Sequence, residues 1–437
     1  MLSVRLRGRA ERLSYVYTML IIVLPIMGVY AVPFLPLAIS LGELLLIGMI
    51  PFIILAQVGK SVTVNFTNPF WEYLIYSLMA TLIASCSLFF MFQGYDVTDM
   101  LFRVVRDMFY FLLILFFGKD FFDFSLGIKI LLKVAKFASL FMLVQFLAYQ
   151  IFRLSVWGIL PGVQTTISGG VVSNEVIEHF MKSAIIDGYL RAYGFFSEPA
   201  AAAQYLSVAL IAIFFLNKKH KIDFKWAILI SLAILVTFSV NGYIALIFSW
   251  GMMFIKAKKS KRAKKICLII GVLLVLSIPI VLSNEKINGV FVRLISLFKG
   301  ESTQNSAAVR VLRGPVFFLN MPFVYQVFGS GFGNFESFKA IFAIDTVYEQ
   351  ATEYLNTNSY VAISSGLIGL LLYIRGIWSN TVGKPYFAKV MALLVFLLGF
   401  ACSIYSSPIY VIYLLLIINC PKRGKQNDKH NHIARHM

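Results

Sequence analysis

Arginines and a few carboxylates carry most of the chemistry this chain can offer. In Ser306–Phe335, SAAVRVLRGPVFFLNMPFVYQVFGSGFGNF, Arg310 and Arg313 stand three apart in a stretch that reads as helical. That spacing puts both side chains on one helix face. Two adjacent guanidinium forks suit a phosphate or diphosphate, and a solvated loop helix is the competing reading. Gly329, Gly331 and Gly333 follow as G-x-G-x-G. No strand precedes them, so the nucleotide-binding context is missing, and they read as a turn that folds the loop back. In RAYGFFSEPAAAAQYL, Arg191 lies among Tyr193, Phe195 and Phe196, as a site cation or a headgroup anchor. Glu198 precedes Pro199, a natural first helical residue, where the helix dipole favours a carboxylate. Asn356, Thr357 and Asn358 form a polar cap ahead of an apolar run. Arg103 and Asp107 are spaced i, i+4 and can pair on one face, while Arg106 projects elsewhere. That pair reads equally as structural or as lining a pocket.

The elements that must position these residues are apolar helices. The 437 residues are 59% hydrophobic and only 14% charged, against roughly 25% charged in soluble domains. The apolar residues form runs of membrane-spanning length, near 14–32, 36–58, 70–92, 99–118, 126–151, 199–216, 225–240, 242–256, 266–283, 358–374, 386–402 and 404–419. The expected fold is all-α, a polytopic transmembrane bundle of about twelve spans forming one integral membrane domain over 1–437. The net charge of +19 does not imply nucleic acid. Its lysines and arginines cluster between runs, at Arg5–Arg12, Lys218–Lys225, Lys256–Lys265 and Lys422–Lys429. Placed on the cytoplasmic side, all four clusters agree with an even number of spans and with both termini inside. Contact with anionic membrane lipids follows as a secondary effect.

This parity puts two long segments on the outer side, about 153–198 and 284–357, and a polar, disordered tail, 421–437, inside. All the arginine motifs above except Arg103 and Arg106 fall in or at the edges of the two outer loops. There is no GxxxxGK[ST] and no D-x-D; Asp120 and Asp123 have the wrong spacing. No cytoplasmic domain is large enough to use a nucleotide. Chemistry here therefore needs a substrate that is already energised and already outside. The four cysteines show no CxxC spacing, and the histidines suggest no metal site, so no metal or other cofactor is expected.

The sequence resembles the O-antigen polymerase and O-antigen ligase superfamily of bacterial envelope glycosyltransferases. The resemblance rests on R-x-x-G-x-F-x-E-P at Arg191, Gly194, Phe196, Glu198 and Pro199, and on Arg310 followed by G-S-G-F-G. It rests also on T-N-S-Y…GLIGLL from Thr357, and on two large outer loops. It implies a fold like the membrane-embedded GT-C glycosyltransferases. It also implies metal-independent transfer of a glycan from undecaprenyl diphosphate at the outer face of the bacterial cytoplasmic (inner) membrane. A polymerase moves the growing glycan onto another lipid-linked unit, to build O-antigen, capsule or exopolysaccharide. A ligase moves it onto the lipid A core of lipopolysaccharide. Ligases usually carry a histidine where this chain has Thr357, which favours the polymerase. Ala200 replaces the Asn that often follows E-P. Implied partners are the lipid-linked oligosaccharides, a chain-length regulator and a flippase.

Arginine is then the natural group to stabilise charge developing on the diphosphate leaving group. Arg310 is the first choice, then Arg191, with Arg313, Arg106, Thr357 and Asn358 binding substrate. Glu198 leads Asp345, Glu349 and Glu353 as base, because partial burial at the bilayer surface would make it a better one. Competing functions are the ligase, a lipid-linked oligosaccharide flippase or other transporter, and a non-enzymatic co-assembly or sensor protein. Transporters favour short connections and discontinuous helices near the midplane, so long outer loops weigh against that reading.

Overall fold

A computed structural model describes residues 2–32, 39–57, 68–159, 165–167, 170–172, 185–186, 189–216, 223–257, 306–342, 344 and 355–422. The described residues are mostly helical. The first half holds α1 (Leu2–Met27), α2 (Leu41–Gln57), α3 (Phe70–Met91), α4 (Val97–Phe111), α5 (Gly118–Phe121) and α6 (Phe124–Phe152). A π-helical turn, Leu112–Phe117, joins α4 to α5 in one continuous run. The second half holds α7 (Pro199–Phe215), α8 (Phe224–Leu235), α9 (Val240–Ala257), α10 (Ser306–Asn320), α11 (Phe323–Phe328), α12 (Phe335–Ile341), α13 (Thr357–Ser379), α14 (Tyr386–Ala401) and α15 (Pro408–Ile418). Two short antiparallel hairpins, β1 (Thr165–Ile167) with β2 (Gly170–Val172) and β3 (Ile185–Ile186) with β4 (Tyr189–Leu190), lie within the first expected outer loop.

Each apolar run read from the sequence coincides with helix, except 266–283, which lies outside the described residues. Phe70–Met91, Phe124–Phe152 and Thr357–Ser379 are long and apolar enough to cross a membrane. Several others are apolar but shorter, among them α7, α14 and α15. Large apolar side chains also face outward: Phe90 is 86% exposed, Ile247 72% and Leu55 68%. An outer surface of this kind suits lipid better than water. The tail 423–437 and the basic residues 217–222 and 258–265 lie outside the described residues.

The backbone divides into two compact units, Met1–Ala56 with Ser125–Phe298, and Gln57–Phe124 with Lys299–Met437. In the first unit, α7 packs against α8 and α9. Its Ala200–Ala203 run leaves room for this: a Cβ on Gly242 of α9 would come within 2.8 Å of Ala203 Cβ. The loop before α7 is tied to α6 by Gln145. Its Oε1 accepts from the Tyr193 and Gly194 amides, and its Nε2 donates to Val156 O.

In the second unit, α13 is the central element, flanked by α3, α10, α11 and α14. It is not a continuous helix. Gly366 has φ 66° and ψ −175°, a region only glycine occupies readily, so the helix breaks near its middle. A break strands the carbonyls of the preceding turn, and in lipid no water can take them. The glycine turn read from the sequence supplies the donors. Ser330 N donates to Ile363 O at 2.9 Å and Gly331 N to Ser364 O at 2.8 Å. Ser330 Oγ adds a bond to Ile363 O. Gly329, Gly331 and Gly333 all have positive φ, which lets the turn bend tightly. The far side of the turn is bonded to α3. Phe332 N donates to Thr81 Oγ1, and Asn334 Nδ2 to Ser85 Oγ.

A Cβ at position 366 would stand 2.2 Å from Val327 O and 2.6 Å from Gly329 N. Gly366→Ala should therefore destabilise the purified protein by about 2 kcal/mol or more, combining backbone strain and the clash. Gly251→Ala, in the open middle of α9 where no atom lies within 4 Å, should be neutral or slightly stabilising. Thermal unfolding in detergent compares the two, and equal midpoints would show that the break at Gly366 is not required.

Candidate functional site

The second unit holds two buried charged groups around the first turns of α13. One is Arg313. Its helix, α10, lies against α13 so closely that a Cβ on the neighbouring Gly314 would meet Ser359 Cβ at 2.1 Å. Arg313 is fully buried. Its guanidinium lies over the Phe335 ring, 5.6 Å from the centroid. Its three side-chain nitrogens have no hydrogen-bond partner among the described residues. Burial pulls its pKa below the ordinary arginine value, and the nearby Glu336 carboxylate opposes this. Arginine nevertheless stays charged at any working pH. A buried cation with no anion hydrogen-bonded to it among the described residues is costly, so the arrangement is one that an incoming anion would complete.

The other is Asp107, on α4, which is also buried. Its Oδ1 accepts from Ser406 Oγ, while Oδ2 is buried with no hydrogen-bond partner among the described residues. The expected Arg103–Asp107 pair does not form through Oδ2. Arg103 lies instead over the Tyr360 ring, 5.3 Å from its centroid, where the aromatic face competes for the cation. Arg103 and the half-buried Arg106 still act on Asp107 electrostatically. Around them runs a cluster of rings. Tyr405 packs on Phe332, Tyr360 and Tyr73, and the Tyr73 and Tyr405 hydroxyls are bonded at 3.0 Å.

Thr357 and Asn358, expected to bind substrate, make hydrogen bonds that join α13 to the segment 396–405. A hydroxyl has one proton and two acceptor positions. Thr357 Oγ1 donates to Cys402 O and accepts from the Ile404 and Tyr405 amides, so all three are used. Asn358 donates to Phe396 O and packs on Gly399 of α14. Asn356 caps α13 by accepting from Ser359 N, as read from the sequence. Arg310 lies in α10, but its side chain is outside the described residues, as are Asp345, Glu349 and Glu353 entirely.

Arg191 and Glu198 belong to the first unit. Arg191 is half-buried and donates through Nε to Thr237 O at 3.3 Å, which ties it to the turn between α8 and α9. Glu198 occupies the N-cap position of α7, but its side chain makes no cap hydrogen bond. It is exposed, so the partial burial that would favour it as a base is absent. From the sequence Asp107 is legible as the partner of Arg103, in a pair that is structural or lines a pocket. Its contact with Ser406 spans some three hundred residues of chain, and no local pattern announces it.

Fold and site together define an α-helical protein with apolar helices compatible with a membrane and with a guanidinium and a carboxylate buried in one helical unit. No protein-family model matches the chain, and no curated protein matches it.

If Arg313 awaits an anion, removing its charge should not harm the free protein. Arg313→Met should unfold at or above the wild-type temperature, since a buried unpaired charge is replaced by an apolar chain of similar length. Inorganic pyrophosphate should stabilise the wild type, by about 2.7 kcal/mol at 100-fold over its Kd, and leave Arg313→Met unmoved. An Arg313→Met variant that unfolds several degrees early would mean that the cation already has a partner within the fold.

Proposed function

We propose that this chain is a multi-pass membrane glycosyltransferase, a polymerase of bacterial cell-surface polysaccharide. In this reading about twelve spans, in a fold like that of GT-C enzymes, leave both termini in the cytoplasm. The segments about 153–198 and 284–357 then work at the outer face of the cytoplasmic membrane. The substrates are undecaprenyl-diphosphate-linked oligosaccharides, one as donor and one as acceptor. The observation that carries the reading is the buried Arg313, whose nitrogens have no hydrogen-bond partner among the described residues, on the helix that also carries Arg310. A diphosphate is the anion for which such a pair is best suited. As the glycosidic bond to the carrier breaks, charge grows on the leaving diphosphate, and fixed cations stabilise that charge most in the transition state. Thr357, in the place of the ligase histidine, supports polymerase over ligase. Its saturated hydroxyl leaves no free group for chemistry there.

A transporter of lipid-linked oligosaccharide is the second reading, favoured by one observation. The break of α13 at Gly366 is the kind of discontinuity that transporters place near the membrane midplane.

Deletion of the gene followed by glycan gel analysis separates the readings. A lost polymerase leaves single repeat units attached to the surface acceptor. A lost ligase leaves none, and a lost transporter traps units inside the cell. The polymerase reading expects the first pattern. Complementation with Arg310→Lys, which keeps the charge and loses the bidentate fork, should lower polymer yield by about 100-fold. Full polymer length and yield from the Lys variant would remove Arg310 from the mechanism.

A further inference from the structure

We propose that Asp107 is the base that takes the proton from the acceptor sugar hydroxyl. This rests on the polymerase reading and gives the role to a residue other than the outer-loop acids.

Three observations bear on it. First, the carboxylate is divided in its duties. Oδ1 is held by Ser406 Oγ, which fixes the group, and Oδ2 is buried and unpartnered among the described residues. A carboxylate kept only for structure normally has both oxygens satisfied, because an orphaned buried acceptor costs about 1–3 kcal/mol. Second, the charged and ionisable groups facing it are otherwise engaged or leave Oδ2 unbonded. Arg103 lies over Tyr360, and Arg106 makes no hydrogen bond to Oδ2. Tyr73 and Tyr405 are bonded to each other. Tyr360 and Tyr410 act on Asp107 only electrostatically. Third, a cation stands close by: Arg103 is exposed on α4, one turn before Asp107, and lies over the half-buried Tyr360 ring. A guanidinium and a carboxylate one helical turn apart offer both a donor and an acceptor to sugar hydroxyls. The Ser406 that fixes Oδ1 belongs to the same 402–407 link that Thr357 holds against α13, close to the Arg313 helix.

The step balances as a direct displacement. The acceptor O–H gives its proton to Asp107 Oδ2. The freed electron pair of that oxygen forms the new bond to the donor's anomeric carbon. The anomeric C–O bond to the carrier breaks, and its electron pair leaves on the polyprenyl diphosphate. The proton then passes from the carboxylic acid to water, restoring the carboxylate. Removing a positioned base of this kind costs about 10²–10⁴-fold in rate.

The test uses the full-length protein in a deletion strain and in membranes supplied with lipid-linked repeat units. Asp107→Asn keeps an oxygen for Ser406 and removes the base. It should accumulate normally and unfold near the wild-type temperature. Polymer formation should fall at least 100-fold, with single repeats still attached. Asp107→Gly should be inactive until formate is added, and polymer formation should rise with formate concentration. Normal polymer from Asp107→Asn, in a strain whose deletion abolishes polymer, overturns the proposal and leaves the polymerase reading standing. So does an Asn variant that fails to accumulate, or a Gly variant that formate cannot rescue. Loss of polymer with Glu198→Gln, while Asp107→Asn is intact, returns the role to Glu198. A deletion that leaves polymer unchanged overturns the polymerase reading itself.

Discussion

The second unit depends on how one interrupted helix satisfies its backbone. α13 breaks at Gly366, and the carbonyls of Ile363 and Ser364 lose their partners one turn on. In an apolar surrounding each unmet group costs several kcal/mol, so the break is tolerable only if donors arrive from elsewhere. The turn at Ser330–Gly331 brings them, and it fits because Gly329 and Gly366 have no side chains: each Cβ would collide with the other strand's backbone. Once the turn is seated, the residues that follow it are constrained. Asn334 and Phe332 are bonded to α3, and α12 follows directly. α10 reaches the same region from the other side, which brings Arg313 down against the first turn of α13.

The buried charges gain little from this architecture and are held by it. A guanidinium and a carboxylate oxygen with no hydrogen-bond partner among the described residues both count against stability. They are held in place by the apolar packing around them. Phe317, Phe335 and Phe338 form one cluster beside Arg313, and Tyr73, Phe111, Tyr373 and Tyr405 form another beside Asp107. Such rings also keep each group dry and fixed. A dry, fixed charge interacts more strongly with an arriving opposite charge than a solvated one. The cost in stability and the capacity for chemistry therefore share a single origin.

Helices are legible in the sequence because apolar runs of the right length have few alternatives. The glycine turn is legible from three glycines at alternate positions, since positive φ is what such a pattern permits. The partner of that turn is not, because Gly366, the first residue of GLIGLL, looks like an ordinary small residue in a helix. The same limit applies to the site. Arg313 stands out because it lies three residues from Arg310, a spacing that puts both on one helix face. Thr357 and Asn358 stand out too, but their position points to substrate, while their hydrogen bonds run to Cys402, Ile404, Tyr405 and Phe396, some forty residues away in sequence. Glu198 does sit at the start of α7, as its spacing to Pro199 implies, but burial depends on tertiary packing that spacing does not encode. Asp107 reads locally as the partner of Arg103. Its hydrogen-bond partner, Ser406, lies on a link close to the other end of the chain.

The broken helix also bears on whether this protein moves its substrate or acts on it. Transporters use a discontinuity because its loose carbonyls and helix ends are free to coordinate ions and substrate, and because the two halves can shift. Here the carbonyls before the break are already occupied by the amides of Ser330 and Gly331, so they have little left to offer a cation. Shifting one half would break those bonds and force glycines packed at sub-van-der-Waals Cβ distances past one another. The break is thus closed by a clamp, which favours a fixed scaffold over a rocking one. A fixed scaffold is what in-line transfer between two lipid-linked sugars requires, since the donor carbon and acceptor oxygen must be held about 3–3.5 Å apart. The feature that lends the transporter reading its support is therefore, in the details of its hydrogen bonding, better suited to catalysis.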